Sequence, residues 1–185
     1  MMRFLKLFDG IDVLPAVMQL QDNPQLWNEH PERTAAPDSP HYGVPDVWLR
    51  YRDQNELAAA DYRNEPHFPV WYPAWGLLPA LRPIVFAIMA RCEATHLGGI
   101  LLTRISPGGR VQPHDDRGGW HAEFHRCKVY VPLMGNDRCI NRCADETVCM
   151  VPGTAWMFDN LVEHEVRNDG TTPRVTLIVS MRREV

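Results

Sequence analysis

Three side chains in this sequence form the ligand set of a metal enzyme. His114 and Asp116 stand two positions apart, and His164 follows much later in the chain. Two imidazoles and one carboxylate are the ligands of the 2-His-1-carboxylate facial triad, which leaves open positions on non-haem Fe(II) for substrate and O₂. The residue types and their order therefore predict an iron site.

The spacing of the ligands fits extended chain segments. In a strand, residues at positions i and i+2 point to the same face, so His114 and Asp116 can converge on one ion. His164 shares a face with Val162 and Val166, which predicts that it points inward. The alternatives are a chance His-x-Asp pattern and a buried histidine that is hydrogen-bonded to the backbone. Asp159 is a candidate to orient His164 through the nitrogen that the metal does not use.

Arg174 adds an independent constraint, because its guanidinium is always charged and can hold a carboxylate with two hydrogen bonds. If residues 168–172 form a turn, His164 and Arg174 become cross-strand neighbours. An inward arginine needs a partner, since a lone buried cation is costly, and a small dicarboxylic oxo-acid would supply one. The alternative is an arginine at a strand edge that faces solvent or pairs with a nearby acid.

Composition narrows the class of protein. The chain has 185 residues, and its apolar and charged shares of 45% and 23% are those of a soluble single domain. The formal net charge of −4 argues against a nucleic-acid partner, and no apolar run is long enough for a membrane span. The five cysteines and the early charges at the amino terminus favour a reduced, cytoplasmic protein over a secreted one.

The pattern of the chain changes near residue 97. Before it, helices are predicted at residues 14–20, 54–63 and 83–96, the last ended by Gly98-Gly99, and residues 48–51 are a candidate edge strand. After it, strands are predicted at residues 100–105, 110–114, 126–133, 138–142, 147–151, 154–159, 163–168 and 174–182. This spacing is typical of a double-sheet jelly roll of the cupin type. We expect a mainly β (α+β) domain over residues 1–185, in which a helical, loop-rich lead-in (1–97) packs on a barrel (98–185).

From about residue 99 to residue 181, the sequence resembles the aspartyl/asparaginyl β-hydroxylase family of Fe(II)/2-oxoglutarate dioxygenases. The matching segments are 105–116 (ISPGGRVQPHDD), 128–133 (KVYVPL), 151–160 (VPGTAWMFDN), 164–168 (HEVRN) and 174–179 (RVTLIV). The resemblance implies a double-stranded β-helix, iron on His114 and His164, and the far carboxylate of 2-oxoglutarate on Arg174. Asp116 completes a full triad here, whereas some animal members of the family lack this carboxylate.

One motif departs from the family pattern. Family members often carry Arg-x-His where this chain has Lys128-Val-Tyr130. A lysine pairs with a carboxylate as a point charge and a tyrosine donates one hydrogen bond, while Arg126 shares the predicted strand face of Lys128. Lys128, Tyr130 and Arg126 are therefore the alternative candidates for the residue that binds the co-substrate at a second point.

Two histidines between the metal motifs form a weaker pattern. His121 and His125 are four residues apart, but no helix is predicted there and Glu123 is not placed as in a zinc protease. We expect them in a loop near the mouth of the substrate site.

These observations predict an Fe(II)- and 2-oxoglutarate-dependent dioxygenase that hydroxylates a C–H bond. Family resemblance implies aspartyl or asparaginyl side chains, or small molecules, as substrates, and a small or peptide-like soluble substrate is favoured. One alternative is a cupin-like metalloenzyme that does not use 2-oxoglutarate. The other is a non-catalytic binding module, against which the intact triad argues.

Overall fold

The computed structural model describes residues 3–55 and 65–183. The strands in these ranges are β1 (Phe4–Phe8), β2 (Asp46–Tyr51), β3 (Val70–Trp71), β4 (Ala94–Ile105), β5 (Arg110–His114), β6 (Cys127–Met134), β7 (Cys139–Cys143), β8 (Glu146–Cys149), β9 (Ala155–Phe158), β10 (His164–Asn168) and β11 (Arg174–Arg183). The helices in the same ranges are α1 (Leu14–Asp22), α2 (Ala74–Leu77), α3 (Leu81–Arg91) and α4 (Trp120–Phe124), with short 3-10 helices at Pro24–Leu26 and Pro31–Arg33. None of the helices described is long and apolar enough to cross a membrane.

The strands form two antiparallel sheets. The larger has the order β1-β9-β6-β11-β4-β2-β3, and the smaller has the order β5-β10-β7-β8. Alternate residues of β11 serve two different cores: Val175, Leu177 and Val179 pack in the cluster that contains α1 and α3, whereas Ile178 packs in the cluster that also holds residues of the smaller sheet. By the same alternation, Arg174 faces the space between the sheets.

The predicted jelly roll is confirmed. Each strand predicted between residues 100 and 182 is present, as β4 to β11, with ends that differ by a few residues. The predicted edge strand is also present, as β2, but it pairs with both β4 and β3 and so does not lie at the edge. Strands β1 and β3 were not predicted, because such short segments carry little periodicity.

The third predicted helix, α3, ends earlier than predicted. The prediction was residues 83–96, whereas α3 ends at Arg91 and β4 already begins at Ala94. Glu93 has a φ of 52°, the left-handed conformation with which helices often end. Gly98 and Gly99 therefore lie inside a strand and do not terminate the helix. The helix predicted at residues 14–20 is confirmed as α1, and the one at residues 54–63 falls, from residue 56 onward, outside the described residues.

The turn predicted between the second histidine and the arginine is wrong. β10 and β11 lie in different sheets, so His164 faces His114 across the smaller sheet, while Arg174 faces Ile105 across the larger one. The amide of Asn168 donates to the carbonyl of Ile105 (3.0 Å) and ties the crossing segment to the larger sheet. Most consecutive strands from β4 to β11 lie in opposite sheets, and the local sequence of a turn does not reveal this.

Candidate metal centre

The predicted ligand residues meet at one end of the smaller sheet. His114 is the last residue of β5 and lies opposite His164, the first residue of β10. Pro113 lacks the N–H group that strand pairing uses, so pairing weakens at this end. The chain then turns, and the backbone N–H of Asp116 donates to the carbonyl of Asn160 (3.0 Å). This contact brings the carboxylate beside the two rings.

The ligand atoms are close enough for a single ion. One atom from each of His114, Asp116 and His164 lies within 4.8 Å of the other two, and no other such group occurs in the described part of the chain. The Nε2 atoms of His114 and His164 are each 3.9 Å from an oxygen of Asp116. Ligands about 2.0–2.2 Å from one ion and at right angles to each other lie about 3 Å apart, so the side chains would move together by about 1 Å when an ion binds.

Hydrogen bonds determine which nitrogen each ring offers. Nδ1 of His114 donates to the carbonyl of Gln112 (2.8 Å), and Nδ1 of His164 donates to the carbonyl of Val162 (3.0 Å). Because a carbonyl only accepts, each Nδ1 carries the proton and each Nε2 keeps a lone pair. Nε2 of His164 is buried and has no hydrogen-bond partner among the described residues. A metal ion would satisfy it, and the donor set fits Fe(II).

The prediction that Asp159 orients His164 is wrong. Its carboxylate accepts a hydrogen bond from the guanidinium of Arg3 at 2.6 Å, and the carbonyl of Val162 orients the ring instead. Every residue carries a carbonyl, so no sequence signal could have identified this one.

The protonation states suit metal binding. Burial lowers the pKa of His164 to about 4 and also lowers the pKa of His114. Burial alone would raise the pKa of Asp116, but the charges of Lys128 and His164 and the hydrogen bonds from Lys128 and Asn160 bring it below its usual value. The site thus holds two neutral imidazoles and a carboxylate at neutral pH, as metal ligation requires.

A cavity of about 700 Å³ opens in front of His114 and Asp116, within the size range of small-molecule sites. Its lining also includes His67, His121 and His125. Contrary to the prediction of a loop, α4 begins just before His121 and His125 follows its last residue. The two rings lie 4.5 Å apart between centroids, and they contribute to the wall of the cavity as expected.

Arg174 is buried, and it is not among the residues that line this cavity. Only 2% of its surface is exposed. Its guanidinium donates to the amide oxygen of Asn141 (2.8 Å) and lies 5.9 Å from the centre of the Tyr130 ring. No carboxylate among the described residues forms an ion pair with it, and its Nε has no partner there. Burial lowers its pKa from the usual value, because the surroundings solvate the charge poorly.

The three candidates for the second anchor fall in different places. Lys128 and Tyr130 line the cavity from β6, and the ammonium of Lys128 forms an ion pair with Asp116. Arg126 precedes β6, and its side chain is 61% exposed and paired with Glu123. The structure therefore does not bring Arg126 to the site, because the chain enters β6 from α4 and the predicted strand face does not extend back to residue 126.

Sequence reasoning missed three residues near the metal ligands. The ring of His41 lies 5.0 Å from that of His114, and Arg33 lines the same cavity while pairing with the buried Asp46 at 2.9 Å. Asn160 bonds to Asp116. His41 and Arg33 come from an irregular segment without periodicity, so no pattern could place them beside residues far along the chain.

Comparison with protein families supports the resemblance seen in the sequence. The family model described as aspartyl/asparaginyl β-hydroxylase matches residues 77–184. This range contains each of the predicted metal ligands together with Arg174, Lys128 and Tyr130. No curated protein sequence matches the chain.

Solved structures share the architecture. A prolyl hydroxylase from Trichoplax adhaerens, in complex with a peptide fragment of the hypoxia inducible factor oxygen degradation domain, aligns with a TM-score of 0.62 at 12% identity over 97% of this chain and 82% of its own. A viral collagen prolyl hydroxylase from Paramecium bursaria Chlorella virus-1, in a 2-oxoglutarate complex, aligns with 0.59 at 9% identity over 99% and 97%. A Pseudomonas putida prolyl-4-hydroxylase aligns with 0.57 at 18% identity over 98% and 92%. At such low identities the similarity shows the fold alone.

Proposed function

This chain belongs to the aspartyl/asparaginyl β-hydroxylase family, and we propose on that basis that it is an Fe(II)- and 2-oxoglutarate-dependent dioxygenase that hydroxylates a C–H bond. One observation carries the proposal: the ligand atoms of His114, Asp116 and His164 lie within 4.8 Å of one another. When bound, ferrous iron and 2-oxoglutarate supply the oxidation, in which the oxo-acid becomes succinate and CO₂ and the atoms of O₂ are divided between succinate and the hydroxylated substrate.

The protein's contribution begins with the metal ligands. His114 and His164 offer Nε2 lone pairs because backbone carbonyls hold their Nδ1 protons, and Asp116 contributes the negative charge. His114 and Asp116 line the cavity, so an ion held by the three side chains would be accessible to the co-substrate and the substrate from that side.

Arg174 is our candidate for the anchor of the far carboxylate of 2-oxoglutarate. Its buried charge has no ion-pair partner among the described residues, and a carboxylate would compensate for the cost of its burial. For the second anchor we favour Lys128 and Tyr130, which line the cavity, over the exposed Arg126.

The substrate is a peptide side chain or a small soluble molecule. A cavity of about 700 Å³ holds a molecule of that size, and one of the structural neighbours binds a peptide. We place the protein in a reducing compartment such as the cytoplasm, because all five cysteines are free.

The test is co-substrate turnover. Purified protein reconstituted with Fe(II) should form succinate from 2-oxoglutarate when offered its substrate, and a screen over amino acids, peptides and cell extract would find the substrate class. His164→Ala should abolish this turnover, since the ion loses one of its ligands. His96→Ala, a change at an exposed histidine that does not line the cavity, is the matched control and should retain full turnover.

Three results would overturn the proposal. Full succinate formation by His164→Ala would contradict the ligand assignment. Metal-dependent conversion of a substrate without any 2-oxoglutarate would instead support a cupin-like metalloenzyme, and failure of the wild type to bind Fe(II), Mn(II) or the oxo-acid in calorimetry would support a binding module.

A further inference from the structure

The two oxygens of the Asp116 carboxylate have different surroundings. Oδ2 accepts a hydrogen bond from Nδ2 of Asn160 at 2.9 Å and another from the ammonium of Lys128. Oδ1 has no hydrogen-bond donor among the described residues. It lies 3.9 Å from Nε2 of His114, while Oδ2 lies 3.9 Å from Nε2 of His164. Oδ2 thus has two donors from the protein, whereas Oδ1 has none in the described ranges.

Asn160 holds Asp116 at two points. Its side-chain amide donates to the carboxylate, and its backbone carbonyl accepts the N–H of Asp116 at 3.0 Å. It is itself fixed, because it is only 3% exposed and its N–H donates to the carbonyl of Phe158 at 3.0 Å. The residue lies in the segment that leads into β10, so it connects the His-x-Asp motif to the strand that carries His164.

We propose that Asn160 is a positioning residue, which turns the Asp116 carboxylate so that Oδ1 alone is offered to the metal. The inference rests on the metal site of the proposed function and deepens it. Without this donor, only the flexible ammonium of Lys128 holds Oδ2, and the carboxylate can tilt and present both oxygens. An amide suits the task, since it donates a directed hydrogen bond without placing another charge beside the ion. Partners of this kind commonly contribute about 10- to 100-fold to metal affinity.

The experiment compares metal binding by variants of the whole chain. Mn(II) affinity is measured by calorimetry, and Co(II) coordination is measured from its visible absorption. Asn160→Ala should weaken Mn(II) binding by about 10- to 100-fold and change the Co(II) spectrum, because the Asp116 carboxylate loses its hydrogen bond from the Asn160 side chain. The backbone contact between residues 160 and 116 survives this substitution. Asn168→Ala is the matched control: Asn168 is equally buried and bonds to the backbone away from the ligands, so its loss should lower Tm without changing affinity or spectrum.

The outcomes separate this inference from the proposed function. A wild type that binds Mn(II), with a folded Asn160→Ala variant of affinity within about twofold and an unchanged Co(II) spectrum, would overturn the positioning role and leave the metal site intact. A wild type that binds neither metal would overturn both. If Asn160→Ala does not fold, Asn160→Ser decides: its shorter donor should give reduced affinity and an altered spectrum, and wild-type values would contradict the proposal.

Discussion

At the scale of single residues, Arg174 carries a buried charge that no acidic residue in the described ranges pairs with. It is buried at 2% exposure, and its guanidinium hydrogen-bonds to a neutral amide, that of Asn141. A hydrogen bond to a neutral group offsets only part of the free energy lost when a cation leaves water. Its charge is therefore best explained by a ligand that supplies the missing negative group.

Replacing this arginine tests that explanation. Arg174→Ala should raise the KM for 2-oxoglutarate by roughly 10- to 100-fold, the value of a charge-assisted hydrogen bond, with a smaller effect on kcat. Succinate formation at varied 2-oxoglutarate measures both parameters. Arg138→Ala removes an exposed arginine and should leave them unchanged. An unaltered KM in Arg174→Ala would remove the anchoring role.

At the scale of elements, β4 shows why glycine lies where a helix end was predicted. A Cβ added at Gly98 would lie 2.7 Å from the ring of His125, closer than atoms can approach. The segment that follows α4 packs directly on the backbone of β4 at this point. The glycine therefore makes room for a cavity-lining histidine, which is a different role from ending a helix.

This contact predicts a coupled pair of substitutions. Gly98→Ala should lower the free energy of unfolding by about 1–3 kcal/mol, because it overpacks a close contact. Adding His125→Ala should recover part of that loss, since the ring is the atom group that clashes. Gly76→Ala is the control, because a Cβ there meets nothing within 4 Å. Urea denaturation measures these three variants and His125→Ala alone, and strictly additive effects of the two substitutions would contradict the contact.

At the scale of the whole molecule, three histidines stay neutral at neutral pH: His121 and His125, which line the cavity, and His164. Burial lowers the pKa of His121 to about 3 and those of His125 and His164 to about 4, against about 6.5 in an unfolded chain. The unfolded state therefore binds more protons than the folded state between these values. Stability is fully present above about pH 6.5 and decreases as the pH falls toward 4.

Acid denaturation tests this linkage in the metal-free protein. The free energy of unfolding should fall by a few kcal/mol between about pH 6.5 and pH 4. His125→Gln removes one of these titrating groups without touching a metal ligand, so its stability should depend less steeply on pH over the same range. Urea titrations at several pH values give the slope, and identical slopes for both proteins would contradict burial of a neutral His125.

The ligand set and most of the fold were predictable from the sequence, because their signals are local. His114, Asp116 and His164 were identified from residue type and spacing, and the strands from β4 to β11 from short apolar runs between turn residues. Arg174 was identified from its charge and its place after His164, and the family resemblance raised the question of Lys128 and Tyr130. The predicted ends of elements were wrong where a contact with a distant residue decides them. Gly98 is an example, because its role depends on His125.

The sequence by itself determined which side chains can bind a metal and that they lie on strands, since the chemistry of a residue and the alternation of a strand are local properties. Only the tertiary structure decided which residues are neighbours. It pairs His164 with His114 and places Arg174 in the other sheet. It also brings Asn160 to the Asp116 carboxylate and His41 to the ring of His114. The physical reason is that most consecutive strands from β4 to β11 lie in opposite sheets. Contacts between residues far apart in the chain then depend on packing of the two sheets, which no short stretch of sequence specifies.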